Sequence, residues 1–262
     1  MIPKIIHYCW FGNNPIPNEY KTYMESWKKY CPDYEIIEWN ESNYDVTKNK
    51  YMHEAYEAKK WGFVPDYARL DIIYNHGGIY LDTDVEIIKN LDELLKNDAF
   101  MGFESKRFVA IGLGFGAQKG HKTIKILRDI YKDIAFLNAD GTYNMTPSPF
   151  YQTNFLYKNG LKKNNKKQNV CGITIYPAEY FCPQSYETGK LKIEKTTYSI
   201  HHYAATWITN EQKQIKELRH KLSKIFPKKL ASALAATYVN LKNNGILYTI
   251  IKIKDKIFRK SK

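Results

Sequence analysis

Two aspartates at i and i+2, Asp82 and Asp84, stand in the stretch Gly77-Gly78-Ile79-Tyr80-Leu81-Asp82-Thr83-Asp84-Val85-Glu86. Tyr80, Leu81, Val85, Ile87 and Ile88 are β-formers, and the two glycines ahead of them permit a tight turn. The carboxylates therefore lie on one face of an extended segment or at its end. Held that close they repel each other, which a cation between them or a raised pKa relieves. Oxygen ligands of this kind suit Mn²⁺ or Mg²⁺, ions that also grip phosphate. A solvated acidic turn is the plainer reading of so short a pattern, and the surroundings speak against it.

Other residues could join such a site. In Phe63-Val64-Pro65-Asp66-Tyr67-Ala68-Arg69, Asp66 begins a helix and Arg69 lies three residues on, on the same face. The pair is either an ordinary helix-supporting ion pair or a carboxylate for sugar hydroxyls with an arginine to orient it. The run Ser199-Ile200-His201-His202 carries adjacent histidines, which point to opposite faces of a strand, so only one can enter a given site. Neutral imidazole ligates Mn²⁺ beside carboxylates. Trp10 ends the first apolar run, where α/β folds place ligands, and is either a core residue or a platform for a flat ring.

The elements that must hold these residues read as an α/β pattern. Ile5 to Phe11 predicts a buried first strand, Pro17 to Tyr30 a helix with Tyr20, Met24 and Trp27 on one face, and Tyr34 to Trp39 a second strand. Helices are expected over Tyr51 to Lys60 and from Asp66 towards the Gly-Gly turn. Phe100 to Phe103 and Ile173 to Tyr176 read as strands, His121 to Phe136 as a helix, and Thr142 to Gln152 as a loop or strand edge because of its prolines. The glycine-rich Ala110 to Ala117 has G-x-G-x-G spacing and no strand–helix context, which rejects a dinucleotide loop and leaves close backbone approach.

At 262 residues the chain has room for one large α/β domain with an appendage. Its 22 tyrosines, against 12 phenylalanines, favour polar ring-shaped ligands but serve a core equally well. The net charge of +13 is concentrated in one place: Glu211 to Lys262 holds fourteen Lys/Arg against three Asp/Glu, or +11. We therefore expect residues 1–210 as the main domain and 211–262 as a basic, helical tail. Within the tail, Ile246 to Phe258 mixes isoleucines with lysines, as for a helix lying on an anionic membrane surface or folded back on the domain. Four cysteines without ligand spacing read as reduced thiols. With neither a secretory leader nor a membrane span evident, the expected location is cytoplasmic, on the inner face of the plasma membrane.

Taken together, Ile2-Pro3-Lys4-Ile5-Ile6-His7 with Trp10-Phe11-Gly12, Asp66-Tyr67-Ala68-Arg69 with Tyr74, and Gly77 to Asp84 resemble glycosyltransferase family 32, the sugar-binding region containing a DXD motif. That family includes bacterial capsular-polysaccharide transferases and yeast initiating mannosyltransferases, with clostridial glucosylating toxins as distant relatives. The resemblance runs from about Ile2 to Trp207. It implies a GT-A fold, a Rossmann-like domain with a mixed sheet, and retaining transfer from a nucleotide-sugar with Mn²⁺ or Mg²⁺. By position it implies Trp10 on the base, Asp66 and Arg69 on the sugar, Tyr80 beside the nucleotide and Asp82 on ribose and sugar. Asp84 is implied as the direct metal ligand, with His202 a further ligand and Trp207 on the phosphate. A UDP-hexose is the favoured donor, and a saccharide or lipid-linked saccharide of a bacterial surface polysaccharide the acceptor. The rival readings are a metal-dependent nucleotidyl or phosphoryl transferase, and a basic module binding nucleic acid. Charge confined to the tail and the lack of a known nucleic-acid motif oppose the latter.

Overall fold

The computed structural model describes residues 1–204 and 208–258, with side chains described to residue 251. The first apolar run forms β1 (Ile5–Cys9), two residues shorter than the pattern predicted. Helix α1 (Asn18–Tyr30) follows, and then β2 (Glu35–Trp39), which lies parallel to β1. Helices α2 (Lys50–Glu57) and α3 (Pro65–His76) lead to β3 (Gly78–Tyr80), parallel to β1 on its other side.

Beyond β3 the chain leaves this sheet. Strand β4 (Val85–Ile87) pairs antiparallel with β10 (Ser199–His201) in a separate two-stranded sheet. The remaining strands β5 (Ala99–Phe103), β6 (Val109–Ala110), β7 (Phe115–Ala117), β8 (Gln168–Val170) and β9 (Ile173–Tyr176) complete the main sheet. Its order is β2-β1-β3-β7-β5-β9-β8, with β6 beside β5, and parallel and antiparallel pairs mix in it. This is the α/β architecture with a mixed central sheet expected from the sequence.

Helix α4 (Lys122–Asp129) is shorter than predicted, its last turn tightening into a 3-10 segment. Helix α5 (Ser148–Lys158) occupies part of the stretch expected to be a loop. Pro149 is compatible with a helix here because it falls in the first turn, where a backbone N–H has no helical partner to lose. Helix α3 is held from behind by Asp71, which accepts from the Tyr44 hydroxyl at 2.9 Å and from Arg128 at 3.1 Å.

One side chain ties three elements together under the acidic strand. His7 is fully buried, with Nε2 2.9 Å from the Gly77 carbonyl oxygen and Nδ1 3.0 Å from Trp39 Nε1. The indole N–H can only donate, so Nδ1 accepts and Nε2 carries the proton donated to Gly77. Gly78 has φ +100°, and a Cβ there would stand 2.8 Å from the Ile5 oxygen and 2.9 Å from His7 Nε2. Only glycine lets β3 close on β1 at this point.

The chain divides into two compact units, residues 1–184 with 192–204, and residues 185–191 with the chain from 205 on. In the second unit, α6 (Asn210–Leu222) starts with a capping box of Thr209 and Gln212. Helix α7 (Lys228–Phe258) starts just after Pro227 and is interrupted at Gly245, which has φ 79°. Ala231, Ala235 and Val239 form its buried stripe, whereas Ile246, Leu247, Ile250 and Ile251 are exposed. Among the described residues no helix is long and apolar enough to cross a membrane.

Burial lowers the His7 pKa from 6.5 to about 4. Between those values the unfolded chain binds a proton that the folded chain does not, so stability falls with pH across this window. The expected loss is on the order of 3 kcal/mol by pH 4, and urea denaturation at several pH values should show it in wild type and not in His7→Gln.

Candidate active site

Asp82 and Asp84 lie in the link between β3 and β4, where the chain crosses from the main sheet to the small one. The Val85 N–H donates to the Asp82 carbonyl at 3.1 Å, making the link a tight turn rather than an extended strand. Trp27 of α1 anchors the far side, its indole N–H donating to the Val85 carbonyl at 2.8 Å. Strand β10 pairs with β4 so that His201 faces Val85. Asp82, Asp84 and His201 each thereby offer a ligand atom, all within 4.8 Å of one another.

Asp84 is the most firmly held of the three. One oxygen accepts the Ala204 N–H at 2.8 Å and the other lies 3.3 Å from His201 Nε2. The Asp84 carbonyl also accepts the His202 N–H at 3.0 Å, pinning the chain after β10 to the acidic turn. His201 Nδ1 is buried and has no hydrogen-bond partner. Two carboxylate oxygens and one imidazole nitrogen suit Mn²⁺ or Mg²⁺, with Mn²⁺ taking imidazole more readily.

Next to this cluster, α3 presents Asp66 and Arg69, both buried. Arg69 Nη2 donates to Asp66 Oδ1 and, at 2.8 Å, to the Ser148 hydroxyl at the start of α5. Arg69 Nη1 lies 3.3 Å from Asp82 Oδ1, so one guanidinium joins Asp66 to the acidic turn. Tyr51 donates to the other oxygen of Asp66 at 3.3 Å. Arg69 Nε is buried and without a hydrogen-bond partner, a donor left over for a ligand oxygen.

The charges are set against one another. Burial raises the Asp66 pKa to about 6, with Asp82 adding to the rise and Arg69 opposing it. Burial and the Asp84 charge likewise push Asp82 up. For Asp84 burial works upward too, yet His201 and the Ala204 N–H outweigh it and hold the carboxyl below its usual range. For His201 burial would lower the pKa, but Asp84 beside it keeps it raised, because the carboxylate favours the protonated imidazole.

Some expected site residues sit elsewhere. His202 is not the histidine beside the aspartates; its Nε2 lies 2.9 Å from Glu86 and its ring stacks on Tyr23 at 4.0 Å. Strand alternation turns His201 inward and sends His202 to the opposite side. Tyr80 is 1% exposed, packed against Phe115 and under the Arg69 guanidinium, so it supports the site from within. Trp10 sits just past β1, half-buried, its N–H bonded to the Asn14 carbonyl and its ring edge-on to Tyr20. Trp207 lies outside the described residues.

Ser148 and Tyr51 were not foreseen, because nothing in Thr146-Pro147-Ser148-Pro149 or in an amphipathic helix marks a residue that meets Asp66 only through folding. Glu104, just after β5, is a third: burial raises its carboxyl pKa, and it is near enough to feel the His201 charge.

Residues 17–101, which hold the helix of Asp66 and Arg69 and the acidic turn, match the family model "Glycosyltransferase sugar-binding region containing DXD motif". The match covers the stretch that holds Asp66, Arg69 and the acidic turn, the part of the chain whose motifs resemble that family. It is 31% identical over 134 residues to inositol phosphoceramide mannosyltransferase 3 of Schizosaccharomyces pombe, covering 49% of this chain and 37% of the relative. The chain therefore spans little more than a third of that protein. It is 28% identical over 189 residues to a glycosyltransferase of Acanthamoeba polyphaga mimivirus, covering 70% of this chain and 74% of the relative. A glycosyltransferase involved in glycosylation of the major capsid of PBCV-1 overlays 89% of this chain and 99% of its own, at 10% identity and TM-score 0.43.

Among the described residues Arg69 is the one cation that pairs with both Asp66 and Asp82, and removing it leaves the buried Asp66 without compensation. Arg69→Met should cost about 3–5 kcal/mol of stability in urea denaturation, and adding Asp66→Asn should recover part of that loss.

Proposed function

We propose that this protein is a metal-dependent, retaining hexosyltransferase that uses a nucleotide-sugar donor, with a UDP-hexose as the first candidate. The observation that carries the reading is the Asp82, Asp84 and His201 cluster beside the Asp66–Arg69–Ser148 network, within the matched sugar-binding region. The relatives named as mannosyltransferases make a mannosyl donor the second candidate. An inositol phosphoceramide acceptor, as in the fission-yeast name, is a head group at a membrane surface and supports a lipid-linked saccharide acceptor. We place that acceptor in bacterial surface-polysaccharide synthesis, at the inner face of the plasma membrane. The exposed isoleucines and leucine after Gly245, followed by Lys252, Lys254 and Lys256, would hold the protein to anionic lipid there.

Asp84, Asp82 and His201 would hold Mn²⁺ or Mg²⁺, and the bound ion would neutralise charge on the leaving diphosphate. Asp66 and Asp82 would accept hydrogen bonds from the hydroxyls of the transferred sugar, and Arg69 keeps both carboxylates in place. The unpaired Arg69 Nε would donate to a donor oxygen. Trp10 would stack on the base at the end of β1, and Trp207 would contact the phosphate. Each of the carboxylates named in the motifs has a binding task, which favours a same-face route in which the departing phosphate helps to deprotonate the acceptor hydroxyl. Trapping of a covalent sugar–protein adduct would overturn that route.

The reading is tested with UDP-, GDP- and CMP-sugars, each with Mn²⁺ or EDTA, followed by thermal shift and slow donor hydrolysis. One sugar nucleotide should stabilise the wild type in a metal-dependent way, and Asp84→Ala and His201→Ala should abolish the effect. His202→Ala should keep it. No shift by any donor with Mn²⁺ present would sink the proposal. Because the His201 proton must leave before the nitrogen can ligate, Mn²⁺ affinity should weaken as pH falls below its raised pKa, by up to about tenfold per unit.

A further inference from the structure

The Gly112-Leu113-Gly114 stretch stands out in the sequence, yet the proposed reaction gives it no part. The structure supplies one. Strand β7 runs antiparallel to β3, pairing Ile79 with Gly116 and Tyr80 with Phe115. The chain ahead of β7 continues along the acidic segment in the same sense. At Gly114, φ is +118° and a Cβ would stand 2.9 Å from Leu81 Cδ2. At Gly112 a Cβ would collide with Asp82 Oδ2, lie 3.3 Å from its carboxyl carbon, and come within 3.4 Å of Arg69 Nη1.

These two glycines differ in kind. Gly114 needs its backbone conformation, whereas the φ of Gly112 is outside the left-handed range that favours glycine. What a side chain at 112 would take is the place occupied by the Asp82 carboxylate. At Gly112 it is bare backbone that lies against both this carboxylate and the Arg69 guanidinium. The Asp82 side chain is about a third exposed, so without that contact it has room to turn away from Arg69.

We propose that Gly112 is the positioning residue for Asp82: its bare Cα seats the carboxylate against Arg69 and beside Asp84. This rests on the reading of the cluster as a metal and donor site. A methyl group at 112 swings Asp82 out of both the cation cluster and the sugar-facing network, while Asp84 and His201 stay where β4 and β10 hold them.

A double-mutant cycle tests it, using wild type, Gly112→Ala, Asp82→Ala and the double variant. Two readouts are taken on the full chain, Mn²⁺ affinity by paramagnetic resonance and Tm without metal. Gly112→Ala should weaken Mn²⁺ binding by about tenfold when Asp82 is present and by less than about twofold in the Asp82→Ala background. Any fall in Tm should show the same dependence on Asp82. Equal effects in the two backgrounds would mean a structural role alone, and no effect in either would mean that Gly112 does not set Asp82; both overturn the proposal. If wild type binds no Mn²⁺, the metal reading fails, and the Tm cycle alone then decides whether Gly112 and Asp82 are coupled.

Discussion

The structure is built around the problem of keeping three carboxylates together, two of them buried and the third partly so. Asp66, Asp82 and Asp84 repel one another, and burial penalises the charge on each. Two cations make the arrangement tenable. Arg69 spans Asp66 and Asp82, and His201 sits against Asp84. They are not equivalent: the guanidinium is permanent, whereas the imidazolium exists only while its proton stays. The repulsion is thus offset by a fixed charge on one side and by an exchangeable one on the other. The exchangeable side is where a divalent cation would enter.

Such an assembly demands rigid support, and the support comes from several parts of the chain. The acidic turn hangs between two sheets, with β3 fixed by the His7–Gly77 bond and β4 by Trp27. Helix α3 sets the separation of Asp66 and Arg69 and is braced behind by Asp71, Tyr44 and Arg128. Strand β10 delivers His201 from more than a hundred residues away, and the Ala204 N–H closes on Asp84 immediately after it. Each attachment is a buried or part-buried hydrogen bond or a strand pairing, the kind of contact that locks the geometry of a site.

The aspartate–histidine cluster and the Asp66–Arg69–Ser148 network are joined through Asp82 and Arg69, so what moves one moves the other. That coupling is why a glycine matters beside Asp82 and why Tyr80, though buried, belongs to the site: its ring lies under the same guanidinium. It also separates the two histidines of one pair by task. His201 faces the aspartates, while His202 with Glu86 and Tyr23 ties α1 to the acidic turn.

Local pattern was enough to read the α/β alternation, the Gly-Gly turn and the pairing of Asp66 with Arg69, because each depends on residues within a few positions of one another. Strand periodicity also said that only one of His201 and His202 could enter the site. It could not say which, because the face turned inward depends on the register of β10 against β4, a contact across more than a hundred residues. Ser148, Tyr51 and Glu104 were illegible for the same reason: a lone serine between prolines or a glutamate after a strand carries no local mark of what it will touch. The prolines around Ser148 concealed the helix that brings it in, since a first-turn proline and a loop proline look alike in sequence. Spacing made the glycines at 112 and 114 visible, but only the packed β3–β7 edge shows that one lacks a side chain for its backbone and the other for Asp82. The sequence by itself determined which chemical groups were available; long-range strand pairing decided which of them meet.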